Sequence, residues 1–401
     1  MRVSSSTIFD TNVAMLNLQQ SAMLHTNQQV ASGRRMLTPA DDPASAANAL
    51  LVAQADGTNT QFTTNRNAAK SSASMAEAIL QNVTTLLTDV KTTTVQAGNG
   101  ALSPADKQSI ATELQGRLDQ LVALANSTDG TGNYLFSGFQ GRTIPFVNTA
   151  LGVQYMADDG QRMVQVSSSR QLAASGSGAD IFMRIKSGNG TFVTQANAAN
   201  TGAASIGQGS VTNAALLTGS SYQLTFTSPT TYDVTDGAGG VVSAGNAYAS
   251  GQAITVVPGM QFLIKGIPVA GDIFSVAPST NEGLFKTMAD LIASLNATNP
   301  AGAAAANAQL TTNLGKAMSG LDRGLDTVLT ARASLGARLN ELDSLQMTGE
   351  DLTLQYKQAL STLQDLDYNK AISDLNRQTT SLQAAQKSFK QIADLSMFNY
   401  M

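Results

Sequence analysis

Cysteine and tryptophan are absent from this 401-residue chain, and histidine occurs once, as His25. Without cysteine neither a disulfide framework nor a thiolate zinc site can form. One histidine cannot build a polyhistidine metal site, and it confines any Ser–His–Asp triad to one that runs through His25. Charged residues make up 13% of the chain, roughly half the share of a typical soluble protein, and the formal net charge is −4. That balance lacks the basic surplus that phosphate recognition demands, so no nucleic-acid partner is expected. No apolar run approaches the ~20 residues of a membrane span, so no membrane insertion is expected. The opening residues, Met-Arg-Val-Ser-Ser-Ser-Thr-Ile-Phe-Asp, lack the apolar stretch of a secretory signal. They point to the cytoplasm, or to export by a route that does not read such a signal.

What is present is distributed unevenly. Residues 1–32 and 350–401 contain neither Gly nor Pro, whereas residues 151–281 hold 18 of the 34 Gly and four of the nine Pro. Helix-breaking residues concentrated in the middle predict helical ends around a β-rich insert. In the first helix Phe9, Leu16, Met23 and Val30 recur in steps of seven, with Val13 four after Phe9. This is an amphipathic stripe. Its other face is poor in charge: only Arg2 and Asp10 precede Arg34, among Gln, Asn, Ser and Thr. Such residues are mediocre helix formers and provide no i,i+4 ion pairs, so the helix is marginal alone and needs packing on more than one side.

Gly33, Arg34, Arg35, Thr38, Pro39, Asp41, Asp42 and Pro43 mark a break. Pro39 disfavours helix at Thr38, and Asp42 followed by Pro43 reads as N-cap and first residue of a new helix. That helix is expected to reach about Ala97, with Met75, Ile79, Val83, Leu86 and Val90 on one stripe. Ser103-Pro104 opens another, carrying Ile110, Leu114, Leu118 and Leu121. From about residue 134 to 281 the period changes to two, as in Tyr222/Leu224/Phe226 and Met260/Phe262/Ile264, and predicts an antiparallel β domain. Helix returns near Glu282. Leu321, Val328, Leu335 and Leu342 step by seven, and after Gly349 the stripe resumes through Leu352, Tyr356, Leu363, Leu366, Ile372, Leu375, Leu382, Phe389 and Ile392. Sustained spacing of this kind argues coiled-coil-like packing. Unbroken, the 52 residues from 350 to 401 would span about 78 Å. The expected fold class is therefore mainly α with a β insertion, in which N- and C-terminal helices pair into a rod.

Catalytic signatures are missing. Neither G-x-S-x-G nor the phosphate-binding G-x-x-x-x-G-K-[ST] occurs, and the pairs Gly176/Gly178, Gly188/Gly190 and Gly207/Gly209 lack the third glycine of a dinucleotide loop. Asp365-Leu366-Asp367 opens like a calcium loop but has Lys370 and Asn376 where Gly and Glu are needed. His25 reads as a polar helix-face residue. Asp41-Asp42 reads as helix capping, with subunit contact as the sharper alternative. Arg34-Arg35 reads as an exposed or interface pair. No enzyme activity and no cofactor are expected.

Arg2-Val3-Ser4-Ser5, Gln28 through Arg35 and Thr38-Pro39-Ala40-Asp41-Asp42-Pro43 resemble the start of the flagellin superfamily. Leu363 through Tyr368, Leu382 through Phe389 and Leu395 through Met401 resemble one branch of it, that of hook-associated protein three, the junction between hook and filament of bacterial flagella. Tyr134-Leu135-Phe136-Ser137-Gly138 and Pro145-Phe146 match internally. The resemblance implies a structural adaptor exported unfolded by the flagellar type III apparatus. The partners it implies are copies of itself, the other hook-associated junction protein, flagellin, and an export chaperone on the C-terminal helix. A flagellin filament subunit is the alternative; a translocator of a related secretion system and an enzyme acting through the β insert are more distant ones.

The domains expected are an inner coiled coil of residues 1–42 with 351–401, a helical bundle of 43–150 with 282–350, and an outer β domain of 151–281. Phe9, Val13, Leu16, Met23, Val30, Ile372, Leu375, Leu382, Phe389, Ile392 and Leu395 are the expected subunit-interface residues. Gly33, Arg34, Arg35, Pro39, Asp41, Asp42 and Pro43 form the expected joint between shells.

Overall fold

The computed structural model describes residues 5–297 and 302–394. Three helices come first: α1 (Ser5–Ser32), α2 (Pro43–Ala97) and α3 (Pro104–Ala125). Two hairpins follow, β1 (Phe146–Thr149) with β2 (Gly152–Tyr155) and β3 (Met163–Ser167) with β4 (Arg170–Ala173), then the short α4 (Gly178–Phe182) and β5 (Ile185–Lys186). The β domain proper runs through β6 (Phe192–Ala196), β7 (Ala203–Ile206), β8 (Ser210–Val211), β9 (Tyr222–Ser228), β10 (Thr231–Asp236), β11 (Val241–Ala247), β12 (Ala253–Ile254), β13 (Met260–Ile267) and β14 (Ile273–Pro278). After β15 (Asn281–Glu282) the chain ends in α5 (Leu284–Asn296), α6 (Ala303–Gln364) and α7 (Tyr368–Asp394).

Two compact units emerge, residues 1–64 with 344–401 and residues 65–343. The second has two cores. One is helical: Leu80, Val83, Leu87 and Val90 of α2, Leu114 and Leu121 of α3, Met288 and Leu291 of α5 and Leu321 and Val328 of α6 are buried together. The expected α2 stripe shifts here, because Met75 is exposed while Leu80 and Leu87 face the core. Phe146, Phe182 and Phe285 close this core with ring centroids 5.0–5.9 Å apart, so Phe182, inside the expected β insert, packs with the helices. α3 starts as its sequence dictates: Ser103 caps Asp106 and receives its carboxylate in return, with Pro104 in the first turn.

The other core lies between an antiparallel sheet of order β11-β10-β9-β14-β6 and a smaller one of order β12-β13-β7, with β8 also on β13. Alternation puts Tyr222, Leu224 and Phe226 inward from β9, and Met260, Phe262 and Ile264 inward from β13. The turn signal Asp236-Gly237 sits in the β10–β11 connection, where Asp236 Oδ1 accepts from Gly240 N at 2.7 Å.

The first unit differs from the expectation at two places. The run from residue 350 onward is not unbroken: α6 stops at Gln364 and α7 begins at Tyr368. Asp365 and Leu366 turn aside to bond the backbone of the other break, at Gly33–Arg35. Gly349 does not interrupt α6; its carbonyl accepts Asn59 Nδ2 at 2.7 Å from α2.

Candidate functional site

The residues of the two terminal stripes meet each other within one chain. α1 and α7 lie side by side: the rings of Phe9 and Phe389 stand 5.1 Å apart, and Thr379 Oγ1 lies 3.9 Å from Met23 Sδ. Val13, Leu16, Met23 and Val30 on α1, and Leu375, Leu382 and Phe389 on α7, are only half-buried. Phe9 stays 51% exposed and Ile372 47%. Ile392 lies in α7, and Leu395 lies outside the described residues.

Among the described residues this pairing leaves no complete core in the unit. Among its described residues the buried apolar side chains are Ala49 and Ala371, while Met15, Leu18, Leu24, Leu50, Leu51, Met347 and Leu354 are all more than half exposed. Full burial of a leucine is worth about 1.5–3 kcal/mol, and a half-buried one gains roughly half of that. Ordering a residue's backbone costs about 1–2 kcal/mol. Gln19 Oε1 on α1 and Gln378 Oε1 on α7 are shielded from solvent without a hydrogen-bond partner, a further expense of about 1–3 kcal/mol for each group left unpaired.

The joint is built from two helix breaks facing one another. Gly33 ends α1 at φ +69°, a left-handed conformation that favours glycine. A Cβ there would stand 2.9 Å from Tyr368 Oη, so space as well as backbone geometry selects glycine. Gly33 O accepts from Leu366 N at 3.0 Å, and Arg35 N donates to Gln364 O at 2.7 Å. The Arg35 guanidinium reaches Leu363 O at 3.0 Å, Ser45 Oγ at 3.1 Å and Asp42 Oδ2 at 3.3 Å. Arg34 is exposed, in an isolated bridge with Asp365.

Carboxylates then restart the helices. Asp42 Oδ1 accepts from Ser45 N at 3.0 Å ahead of Pro43, and Asp367 Oδ1 accepts from Lys370 N at 3.1 Å ahead of Tyr368. Asp41 gathers the turn around the exposed Pro39: its Oδ2 accepts from Leu37 N at 2.7 Å and Thr38 N at 2.8 Å, and its Oδ1 lies 3.3 Å from His25 Nε2. The amides of Thr38 and Leu37 hold the Asp41 carboxyl below its ordinary value, and the Ser45 amide does the same for Asp42.

Sequence reading missed three participants: Tyr368, which covers Gly33; Gln29, whose Nε2 donates to Arg35 O at 2.6 Å; and His25.

Elsewhere, a cleft of about 230 Å³ between β6, α5 and α6 holds Lys316, Glu282 and Asp290, but these charges pair with one another at 3.7 and 3.9 Å. Among the described residues no group of three or more His, Asp or Glu could hold a metal ion, and no helix is long and apolar enough to cross a membrane.

Comparison with known proteins adds a second line. Residues 3–141 match the family model of the bacterial flagellin N-terminal helical region. The chain is 30% identical over 398 residues to flagellar hook-associated protein 3 of Escherichia coli (strain K12), covering 99% of both. It aligns with the crystal structure of the flagellar junction protein FlgL from Legionella pneumophila at TM-score 0.71 and 32% identity, covering 79% of this chain and 100% of that one. Phase 1 flagellin of Salmonella naestved is also 30% identical, but over 36% of this chain and 27% of that protein.

Proposed function

The chain belongs to the flagellar hook-associated protein 3 family, and on that premise we propose that it is the structural adaptor joining the hook-side junction zone to the flagellin filament. One observation carries this over the filament-subunit alternative. Similarity to hook-associated protein 3 runs from end to end, whereas similarity to flagellin is limited to about a third of the chain. The partners proposed are sister copies, the other hook-associated junction protein, flagellin and, before export, a chaperone that holds the C-terminal helix. The proposed location is the flagellum, reached through the flagellar type III apparatus.

Residues 1–42 with 351–401 would form the inner shell, 43–150 with 282–350 the helical shell, and 151–281 the outward β domain. The half-buried α1–α7 seam supports an inner shell completed by neighbours. The polar stretch of α1 between Asp10 and Arg34, which carries no charged side chain, suits a water-filled channel through which unfolded chains slide, because dense charge would hold passengers.

Deleting the gene and counting filaments on isolated hooks tests the adaptor role. Bare hooks, with flagellin shed into the medium, are expected. The wild-type gene should restore filaments, while Leu382→Asp or Phe389→Asp should not, although the β domain still folds. Normal filaments in the deletion strain would refute the role.

A further inference from the structure

Asparagine followed directly by glycine occurs twice, at Asn99-Gly100 and Asn189-Gly190. Such a pair carries its own chemistry. The backbone nitrogen of the second residue is a nucleophile within reach of the asparagine Cγ, and glycine, having no Cβ, leaves that approach open and the backbone free to adopt it. The fold treats the two pairs differently.

Asn189 is locked. It lies half-buried between β5 and β6. Its Oδ1 accepts from Thr191 N and Phe192 N, both at 3.0 Å, and its Nδ2 donates to Gly209 O at 3.3 Å. The nucleophile is engaged as well, since Gly190 N donates to Ser187 O at 3.1 Å. A Cβ on Gly190 would stand 2.5 Å from the Arg323 guanidinium, so the loop has no room to swing.

Asn99 sits in the turn between α2 and α3, where Gly98 through Ala101 are all exposed. Its carboxamide makes one bond, accepting from Ala101 N at 3.1 Å. Among the described residues nothing accepts from Gly100 N, and a Cβ on Gly100 would meet nothing within 4 Å.

We propose that Asn99 is a site of spontaneous covalent modification, converting to aspartate and isoaspartate, and that the fold shields Asn189 from the same reaction. Gly100 N bonds to Asn99 Cγ while the Cγ–Nδ2 bond breaks, and the amide proton leaves with Nδ2 as ammonia. The product is a five-membered succinimide. Water then opens the ring: at Cγ it gives aspartate, and at the main-chain carbonyl it gives isoaspartate. No oxidant, reductant or enzyme is consumed. Either product adds a negative charge to a stretch, Thr92 to Ala105, that has none. Isoaspartate also adds a methylene to the main chain just ahead of Ser103, the cap of α3. The reaction is independent of the adaptor reading.

Freeing the reacting groups breaks four hydrogen bonds at Asn189 and one at Asn99. Each neutral bond lost slows attack by roughly fivefold, so the three extra bonds correspond to a factor on the order of a hundred. Purified full-length protein, kept folded in mildly alkaline buffer, is sampled over time and digested. Mass spectrometry reads the one-dalton gain on each peptide, and methylation by an isoaspartate-specific methyltransferase reads the rearranged product. Asn99 should convert on the order of a hundredfold faster than Asn189, and in concentrated urea the two rates should converge. Gly100→Ala, which fits the open space, should slow conversion at Asn99 severalfold and leave Asn189 as it was. Equal rates in the folded chain, or an Asn99 that stays intact when folded yet converts in urea, would overturn the proposal. Conversion of Asn99 undiminished by Gly100→Ala would overturn the route through Gly100 N.

Discussion

Residues 65–343 and the two chain ends, 1–64 with 344–401, are made from similar amounts of helix-compatible sequence yet reach different degrees of completion. The first contains two closed cores in which Leu80, Leu114, Leu121, Leu321, Phe226, Phe262 and Phe274 are 0–1% exposed. The second has a long seam whose larger apolar groups, among the described residues, all remain partly in water. Both carry stripes at helical spacing, so the pattern alone does not decide burial. What decides it is the number of elements packed around each stripe. α2, α3, α5 and α6 surround the helical core, whereas α1 and α7 have chiefly one another. A two-helix seam buries one side of each helix and is marginal by itself. On the function proposed above, folding stability belongs to the middle of the chain and assembly to its ends.

The largest expected effect breaks this comparison if it fails. Leu114→Ala removes a 0% exposed side chain and should destabilise the free protein by about 2–5 kcal/mol. Leu382→Ala, at a half-buried position, should change the free protein's thermal or urea unfolding by less than about 1 kcal/mol. Equal losses would erase the distinction.

Gly33→Ala comes next. It forces an L side chain into φ +69° against Tyr368 Oη. It should weaken the joint by about 1–2 kcal/mol from the backbone alone, read as faster protease cleavage between residues 32 and 43, with the melting of residues 65–343 unchanged. Tyr368→Ala combined with it should recover the steric part and leave the backbone part.

Acid has the smallest effect. Asp41 and Asp42 titrate below the ordinary value of 3.8 in the folded joint. Groups with depressed folded values contribute stability that is complete above the unfolded value and is lost as pH falls through the folded one. Cleavage at the joint should thus be constant above about pH 5 and rise progressively below 3.8. Asp41→Asn should flatten that rise.

Much of the architecture was legible because local signals were strong. Asp42-Pro43 and Ser103-Pro104 marked helix starts, and the two-residue period of Tyr222 to Phe226 marked a strand. The break at Asp365–Asp367 was hidden because the apolar spacing from Leu363 and Leu366 to Ile372 passes straight over it. What makes it is the backbone of Gly33–Arg35, more than 300 residues away in sequence. His25 and Tyr368 were obscured for the same reason, since each acts on a partner across the turn rather than on its own helix. Phe182 was assigned to a β insert because Gly-rich surroundings masked the short α4 that carries it into the helical core. Periodicity also identified which residues of α1 and α7 are apolar without telling whether they meet inside one chain or between two.

Amide hydrogen exchange on the free full-length protein, compared with the same protein in assembled junctions, shows whether the chain ends become rigid only in company. The α1 and α7 amides should exchange within seconds to minutes in the free chain, those of α2 beyond residue 65, α3 and β9 slowly, and α1 and α7 should gain strong protection only after assembly. Protection of α1 and α7 in the free chain equal to that of α3 would contradict it.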